Sequence, residues 1–233
     1  MDLNCKYEKK ILVFFDVLGF KDMVQRKYKD KPEMIKEILS TMHVLSSPSY
    51  TSELIIFSDS VINILEIKPK YSEHGQTFAD YLNVIFNDIA TIQVNMFGLY
   101  GVLIRGSIVI GDIYYEVENN LLFGPALVDA YELESKYSIY PRFLIGKSIV
   151  DKISDVEWLD VTEDVDGHYY IDVCKWLVKL EPEKQHLVTL KSKIVEEINM
   201  LGDKPNLGVL SKYKWFLNKI KDREKQDLRK NRT

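Results

Sequence analysis

Residues 11–17, ILVFFDV, are apolar throughout except for Asp16. A run of that length without alternation predicts a strand covered on both faces. From Gly19 the spacing becomes helical, through Phe20, Met23 and Val24, and after a break at Lys31-Pro32 through Met34, Ile35, Ile38, Leu39 and Met42. Residues 53–67, ELIIFSDSVINILEI, predict two strands meeting at Ser58-Asp59-Ser60, a hairpin with an acid at its tip. Residues 76–99 place Phe78, Tyr81, Leu82, Ile85, Ile89, Ile92 and Met96 on one face of a long helix. Residues 100–116, YGVLIRGSIVIGDIYYE, predict a strand, a glycine and a further strand, followed by a turn at Asn119-Asn120. LLFGPA then leads into a helix from about 125 to 138, and PRFLIG at 141–146 is a short strand. The first 150 residues therefore read β-α-ββ-α-ββ-α-β, and form one expected domain, 1–150.

After Val150 the pattern changes. Strand-like pieces at 157–161 and 168–173 precede two charge-rich helices, about 181–201 and 205–229, separated by Gly202 and Pro205. Residues 151–233 are expected to pack on the first domain as a strand-and-helix extension. The closing KDREKQDLRKNRT reads as a solvated, fraying helix end, with contact to a polyanion as the alternative.

Composition narrows the class. Of the 233 residues, 46% are hydrophobic and 28% charged, which fits a folded globular chain and excludes disorder. The net charge of −4 supplies no global basic field for nucleic acid. Two cysteines, Cys5 and Cys174, are too few for a disulfide framework. No apolar run reaches the ~18 residues of a membrane span, and MDLNCKYEKK lacks the apolar core of a secretory signal. A cytoplasmic, reduced protein without membrane partners is expected.

The candidate chemistry rests on two acids. If the strands bearing Asp16 and Asp59 are neighbours, both carboxylates emerge at one end of the sheet, where they repel unless a cation lies between them. Oxygen ligands of this kind suit Mg²⁺ or Mn²⁺. Gly19 lets the following turn approach a ligand, and a helix start attracts phosphate. Separately, an acid after a strand also serves as a helix cap, and Ser58-Asp59-Ser60 also reads as an ordinary turn. Arg105, inside the apolar VLIRGSIVI, needs a partner, whether a ligand phosphate, a site acid or a structural ion pair. The four histidines show no metal spacing, and no Gly-x-x-x-x-Gly-Lys loop is present.

FFDVLGF, FSDS, IRGSIVIGDI and LLFGPALVDAYELE together resemble the class III nucleotidyl cyclase family, in order, over about residues 10–150. The resemblance implies an α+β fold, a ferredoxin-like palm with a C-terminal helical extension, and a head-to-tail homodimer with interfacial sites. It implies two divalent ions, Mn²⁺ or Mg²⁺, on Asp16, Asp59 and the Val17 carbonyl, with Arg105 as a further catalytic group. Nucleotide contacts are implied at Phe15 and along the backbone of Leu18, Gly19 and Phe20. The implied reaction is attack of a ribonucleoside triphosphate's 3′-hydroxyl on its own α-phosphorus, with loss of pyrophosphate.

The chain departs from the purine cyclases of that family. The positions that read the base fall on Ile55 and Leu121, and the family's asparagine and arginine on Val128 and Glu132. FFDVLGFK, FSDS, IRG and FGPALVDAYELE are similar to the pyrimidine cyclases of the bacterial Pycsar antiphage system. That similarity implies a pyrimidine triphosphate substrate, UTP ahead of CTP, and a cyclic product that activates a separate effector protein. The alternative is a non-catalytic nucleotide-sensing or dimerisation module on a degenerate cyclase fold. Tyr50, Tyr114, Tyr115 and Tyr131 are candidates to stack on the base.

Overall fold

A computed structural model describes residues 5–47, 51–67, 77–116, 118–119, 121–153, 157–180 and 185–230. The chain runs through β1 (Glu8–Val17), α1 (Phe20–Asp22) passing into a π turn Met23–Lys27, α2 (Pro32–Leu45), β2 (Thr51–Phe57), β3 (Ser60–Leu65), α3 (Phe78–Tyr100), β4 (Ile104–Glu116) and β5 (Leu121–Phe123). It continues through α4 (Pro125–Glu132) with a π turn Leu133–Tyr137, β6 (Phe143–Ile145), α5 (Lys147–Ile153), β7 (Val161–Glu163), β8 (Tyr169–Ile171), α6 (Val173–Leu180), α7 (Gln185–Met200) and α8 (Leu207–Lys230). Tyr50, His74 and Asn120 lie outside the described residues.

Among the described residues the strands make one mixed sheet in the order β2-β3-β1-β4-β6-β8-β7, with β5 paired to the far end of β4. β1 lies antiparallel between β3 and β4, and β6 joins β4 in parallel. One face of the sheet is sealed by α2 and α3 over Ile11, Val13, Phe15, Ile108 and Phe143. The other face, built on Leu12, Phe14, Ile64 and Val109, is met by Ala126 and Ala130 of α4. A further core joins Ala90 and Phe97 of α3 to Leu177 of α6, Leu190 and Ile194 of α7, and Phe216 and Ile220 of α8.

Local rules account for several boundaries. Thr77 accepts from the Asp80 N–H while Asp80 accepts from Thr77, a reciprocal cap that starts α3. Pro32 opens α2, where its missing N–H costs nothing.

Three expectations are corrected. The two strands expected within 100–116 are one: β4 runs on through both Gly106 and Gly111, and the fifth strand is β5 instead. Gly111 is there because α4 presses on the strand; a Cβ at that position would sit 3.1 Å from that of Ala126. The strand expected at 157–161 begins at Val161, and β8 stops at Ile171. Helices α5 and α6 are additional, and residue 150 falls inside α5. Asp172, whose carboxylate accepts from the Lys175 N–H, caps α6 and is the sequence signal that predicts it.

Gly106 gives a test of the central ladder. A Cβ there would lie 2.6 Å from the Phe14 carbonyl, the Phe143 ring and the Phe15 Cβ. Gly106→Ala is expected to cost about 1–3 kcal/mol by overpacking, read as a lower urea midpoint at unchanged slope.

Candidate functional site

The site is built on one cross-strand pair. Asp16 and Arg105 stand opposite each other in the β1–β4 ladder. Arg105 Nε donates to Asp16 Oδ1 at 3.0 Å and Nη2 to Oδ2 at 3.3 Å, a two-point fork, while Nη1 donates to the Ser138 carbonyl at 3.2 Å. The π turn after α4 brings in a third group, Glu134, only 2% exposed. Its Oε1 lies 2.6 Å from Arg105 Nε. That contact is an ion pair without hydrogen-bond alignment, since the Nε–H is aimed at Asp16 and Oε1 has no hydrogen-bond partner.

Burial is the main force raising the Glu134 carboxyl to about 7. The charge on Asp16 and a hydrogen bond to it add to the shift, and Arg105 opposes it. Asp59 sits in the β2–β3 turn, beside Ser58 in the left-handed region at φ 58°. Its carboxyl is raised first by burial and then by the charge of Asp16, against its own N–H, the Ser58 hydroxyl and Arg105. Asp16, Asp59, Glu134 and Arg105 therefore form one electrostatic cluster. Lys212 of α8 reaches its edge: burial and the charge of Arg105 lower its pKa, and Asp16 pulls it the other way.

Three carboxyl groups stand against one guanidinium, and the charge of Asp16 adds to the burial that raises Asp59. Hard oxygen donors of this kind fit Mg²⁺ or Mn²⁺, with Asp16 and Asp59 as the side chains to hold it. Asp16 already serves Arg105 with both oxygens, yet an ionised carboxylate offers about four acceptor positions and has room for more. Among the described residues no set of three or more His, Cys, Asp or Glu side chains is arranged as a metal site. The fit rests on two acids.

Other expected contacts divide. The Leu18 N–H is committed to the Leu103 carbonyl at 2.8 Å, so it is not a phosphate donor. The next N–H groups to reach a backbone carbonyl are those of Asp22 and Met23, both on Gly19, which leaves Gly19, Phe20 and Lys21 without a backbone acceptor among the described residues. Phe15 is 0% exposed and packs on Phe143 at 5.4 Å between centroids, so its side chain belongs to the core and not to a ligand. Val17 is buried at the end of β1 beside Asp16. Ile55 is half-buried on the α4 side of the sheet, and Leu121 is exposed on β5.

Val128 and Glu132 are exposed on α4, with Glu132 paired to Lys136 at 2.7 Å. Tyr114 stacks on Phe123, Tyr115 lies under Lys10, and Tyr131 meets Phe14 edge to face. A hollow of ≈590 Å³ between α4, β6 and α5, bordered by Glu132, Lys147 and His168, contains none of the clustered acids.

No protein-family model matches the chain, and no curated protein matches it. Solved structures do. The monomeric guanylyl cyclase domain of the RhoGC fusion protein from the aquatic fungus Blastocladiella emersonii aligns over 71% of this chain and 96% of its own, at 18% identity and TM-score 0.52. The adenylyl cyclase CyaB from P. aeruginosa aligns over 71% and 94%, at 17% identity and TM-score 0.51. This is the α+β fold of class III nucleotidyl cyclases. The sequence reading named Asp16, Asp59 and Arg105, which the structure brings near one another, but gave Glu134 and Lys212 no role. Glu134 was visible only as the last acid of LLFGPALVDAYELE, after Asp129 and Glu132, whereas nothing local to α8 marks Lys212.

Glu134 provides a pH test. Its folded pKa, about 7, exceeds the ordinary 4.5, so between those values the folded chain holds a proton that the unfolded chain has released. Its contribution to stability is therefore full below the unfolded value and lost as pH rises through the folded one. In chelator-treated protein, unfolding free energy is expected to fall with a slope of up to about 1.4 kcal/mol per pH unit across that window. Glu134→Gln is expected to flatten the slope, read by urea denaturation at stepped pH.

Proposed function

We propose that the protein is a nucleotidyl cyclase that converts a pyrimidine ribonucleoside triphosphate, UTP ahead of CTP, to its 3′,5′-cyclic nucleotide and pyrophosphate. The observation that carries this reading is the convergence of Asp16 and Asp59 into one charge cluster, on a cyclase fold. The 3′-oxygen bonds to the α-phosphorus, the bond to the bridging oxygen breaks with its electron pair leaving on pyrophosphate, and the hydroxyl proton passes to solvent. Two divalent ions, when bound, supply charge neutralisation and activation of the attacking oxygen. Asp16 and Asp59 would hold them, with the Val17 carbonyl as a further oxygen ligand on the family resemblance. Arg105 keeps Asp16 oriented by its two-point contact, and the N–H groups of Gly19, Phe20 and Lys21 are free to face phosphate. Catalysis of this kind depends on positioning and preset charge.

The pyrimidine assignment is supported by apolar Ile55 and Leu121, neither of which can hydrogen-bond a purine edge, and by the similarity to Pycsar cyclases. On that similarity the product is a second messenger for a separate effector in cytoplasmic phage defence. The homodimer is read from the family resemblance, and the exposed apolar side chains of Phe57 (82%) and Tyr131 (56%) leave apolar surface for it to cover. One observation favours a non-catalytic nucleotide-binding module instead: Glu132 puts an acid where the family resemblance calls for a cation.

The decisive assay incubates the protein with ATP, GTP, CTP and UTP, each with Mn²⁺ or Mg²⁺, and identifies cyclic product by mass. Cyclic UMP or cyclic CMP is expected, and Asp59→Asn should reduce it at least ~10²-fold. Cyclisation of ATP alone would overturn the pyrimidine assignment, and no product from any triphosphate would leave the binding module.

A further inference from the structure

Arg105 stands between two carboxyl groups and is hydrogen-bonded to one of them. Its Nε–H and Nη2–H are directed at Asp16, at 3.0 and 3.3 Å, while Glu134 Oε1, only 2.6 Å from the same Nε, receives no hydrogen bond. The two acids differ in access. The Asp16 side chain is 20% exposed and that of Glu134 2%, so a cation arriving from solvent meets Asp16 and not Glu134. A buried acceptor oxygen left without a donor costs free energy, and a native structure that keeps one calls for a reason. The guanidinium also has a fixed point that neither acid supplies. Nη1 donates to the carbonyl of Ser138 at 3.2 Å, and Ser138 is itself buried, its hydroxyl donating to the Arg142 carbonyl at 2.7 Å. Glu134 is presented by the π turn Leu133–Tyr137, and single π turns within helices are frequent at functional sites.

Resting on the cyclase reading, we propose that Glu134 is a positioning residue: when a divalent cation takes Asp16, the Arg105 Nε–H turns from Asp16 Oδ1 to Glu134 Oε1. The bond from Nη1 to Ser138 is the pivot, and the Nη2 contact to Oδ2 continues to orient Asp16. Oδ1 is thereby opened to the cation. With no second acceptor, the cation and the guanidinium would compete for one carboxylate, and an enclosed charge that loses its partner is strongly destabilising. With Glu134 in reach, each positive group has an oxygen of its own. The exchange is one of side chains alone, because the backbones of β1 and β4 are paired at Asp16 and Arg105 and stay where they are. Arg105 then has two settings. Before the cation arrives it holds Asp16 at two points, and afterwards it rests on the interior acid.

The test is the Mn²⁺ affinity of the full chain without nucleotide, read from the electron paramagnetic resonance signal of the free ion, which needs no turnover. Glu134→Leu removes the waiting acceptor, and Glu134→Gln keeps an oxygen in its place. Glu134→Leu is expected to weaken Mn²⁺ binding about tenfold, and Glu134→Gln to recover most of that loss. In an Arg105→Met background, where no guanidinium needs a second acceptor, Glu134→Leu should leave the affinity nearly unchanged. The parent gives a check that needs no Glu134 variant: saturation with Mg²⁺ should shift the Arg105 Nε–H resonance, assigned by its loss in Arg105→Met. A resonance that stays in place overturns the inference. So do a parent that binds no Mn²⁺ and a folded Glu134→Leu that binds it as the parent does. Equal weakening by Leu and Gln, or equal weakening with and without Arg105, makes Glu134 a ligand or a plain source of negative charge and overturns it too. The two readings fail separately. A parent that cyclises a triphosphate and binds Mn²⁺ independently of Glu134 keeps the cyclase and loses the exchange. Mn²⁺ binding that depends on Glu134 through Arg105, in a parent that cyclises nothing, keeps the exchange and removes the cyclase.

Discussion

A guanidinium enclosed by protein must find its counter-charges nearby, and Arg105 finds them in Asp16 and Glu134. The pairing spans three elements: β1, β4 and the π turn after α4. Side chains on a strand alternate between faces, so a slip of one residue between β1 and β4 would send Arg105 and Asp16 to opposite sides. Pairing an ion in the interior does not stabilise a fold cheaply, because desolvation offsets most of the Coulombic gain. What it secures here is convergence. Acids that would repel one another are held within one cluster, three carboxyl groups around one arginine.

The rest of the architecture serves that convergence from two sides. The face of the sheet under α2 and α3 is closed by large apolar side chains, with Phe15 and Phe143 locked together beneath the site. Packing there fixes the backbone of β1 up to Val17, so that the turn leaving the strand begins from a rigid point. On the other side, α6, α7 and α8 share a core with α3 and are tied by ion pairs to the β7–β8 end of the sheet. Arg142, buried and paired with Asp164 and Asp166, braces that end from the loop before β6. Lys212 is positioned by these distant contacts and not by any bond of its own.

Much of the palm could be read from periodicity because its elements obey local rules. The uninterrupted apolar run of β1, the acid at the β2–β3 turn and the stripe along α3 each have one physical solution. The glycines of β4 misled because a glycine inside a strand signals a break or a close approach equally well, and only the packing around Gly106 and Gly111 decides between them. Phe15 misled because adjacency to Asp16 says nothing of which face a strand residue takes; one step along the strand reverses it. Glu134 was hidden by its π turn, since the extra residue in that turn shifts the helical register by which a face is predicted. Lys212 is more than one hundred residues from Arg105 in sequence, and its place depends on how three helices dock, which no local pattern encodes.

The charge balance ties these parts together. Glu132 faces solvent on α4 and spends its charge on Lys136, one turn away. It is therefore neutralised locally and adds little repulsion at the acid cluster. Cationic charge arrives by a different path, from α8 of the same chain, where a lysine without an acid partner stands across a cavity from the turn that follows Asp16. A cation drawn from the chain's own extension does not depend on a partner's helix for its position. Its dependence is on the docking of α8, which the ion pairs Lys219–Asp164 and Arg223–Asp172 fasten to the β7–β8 end of the sheet.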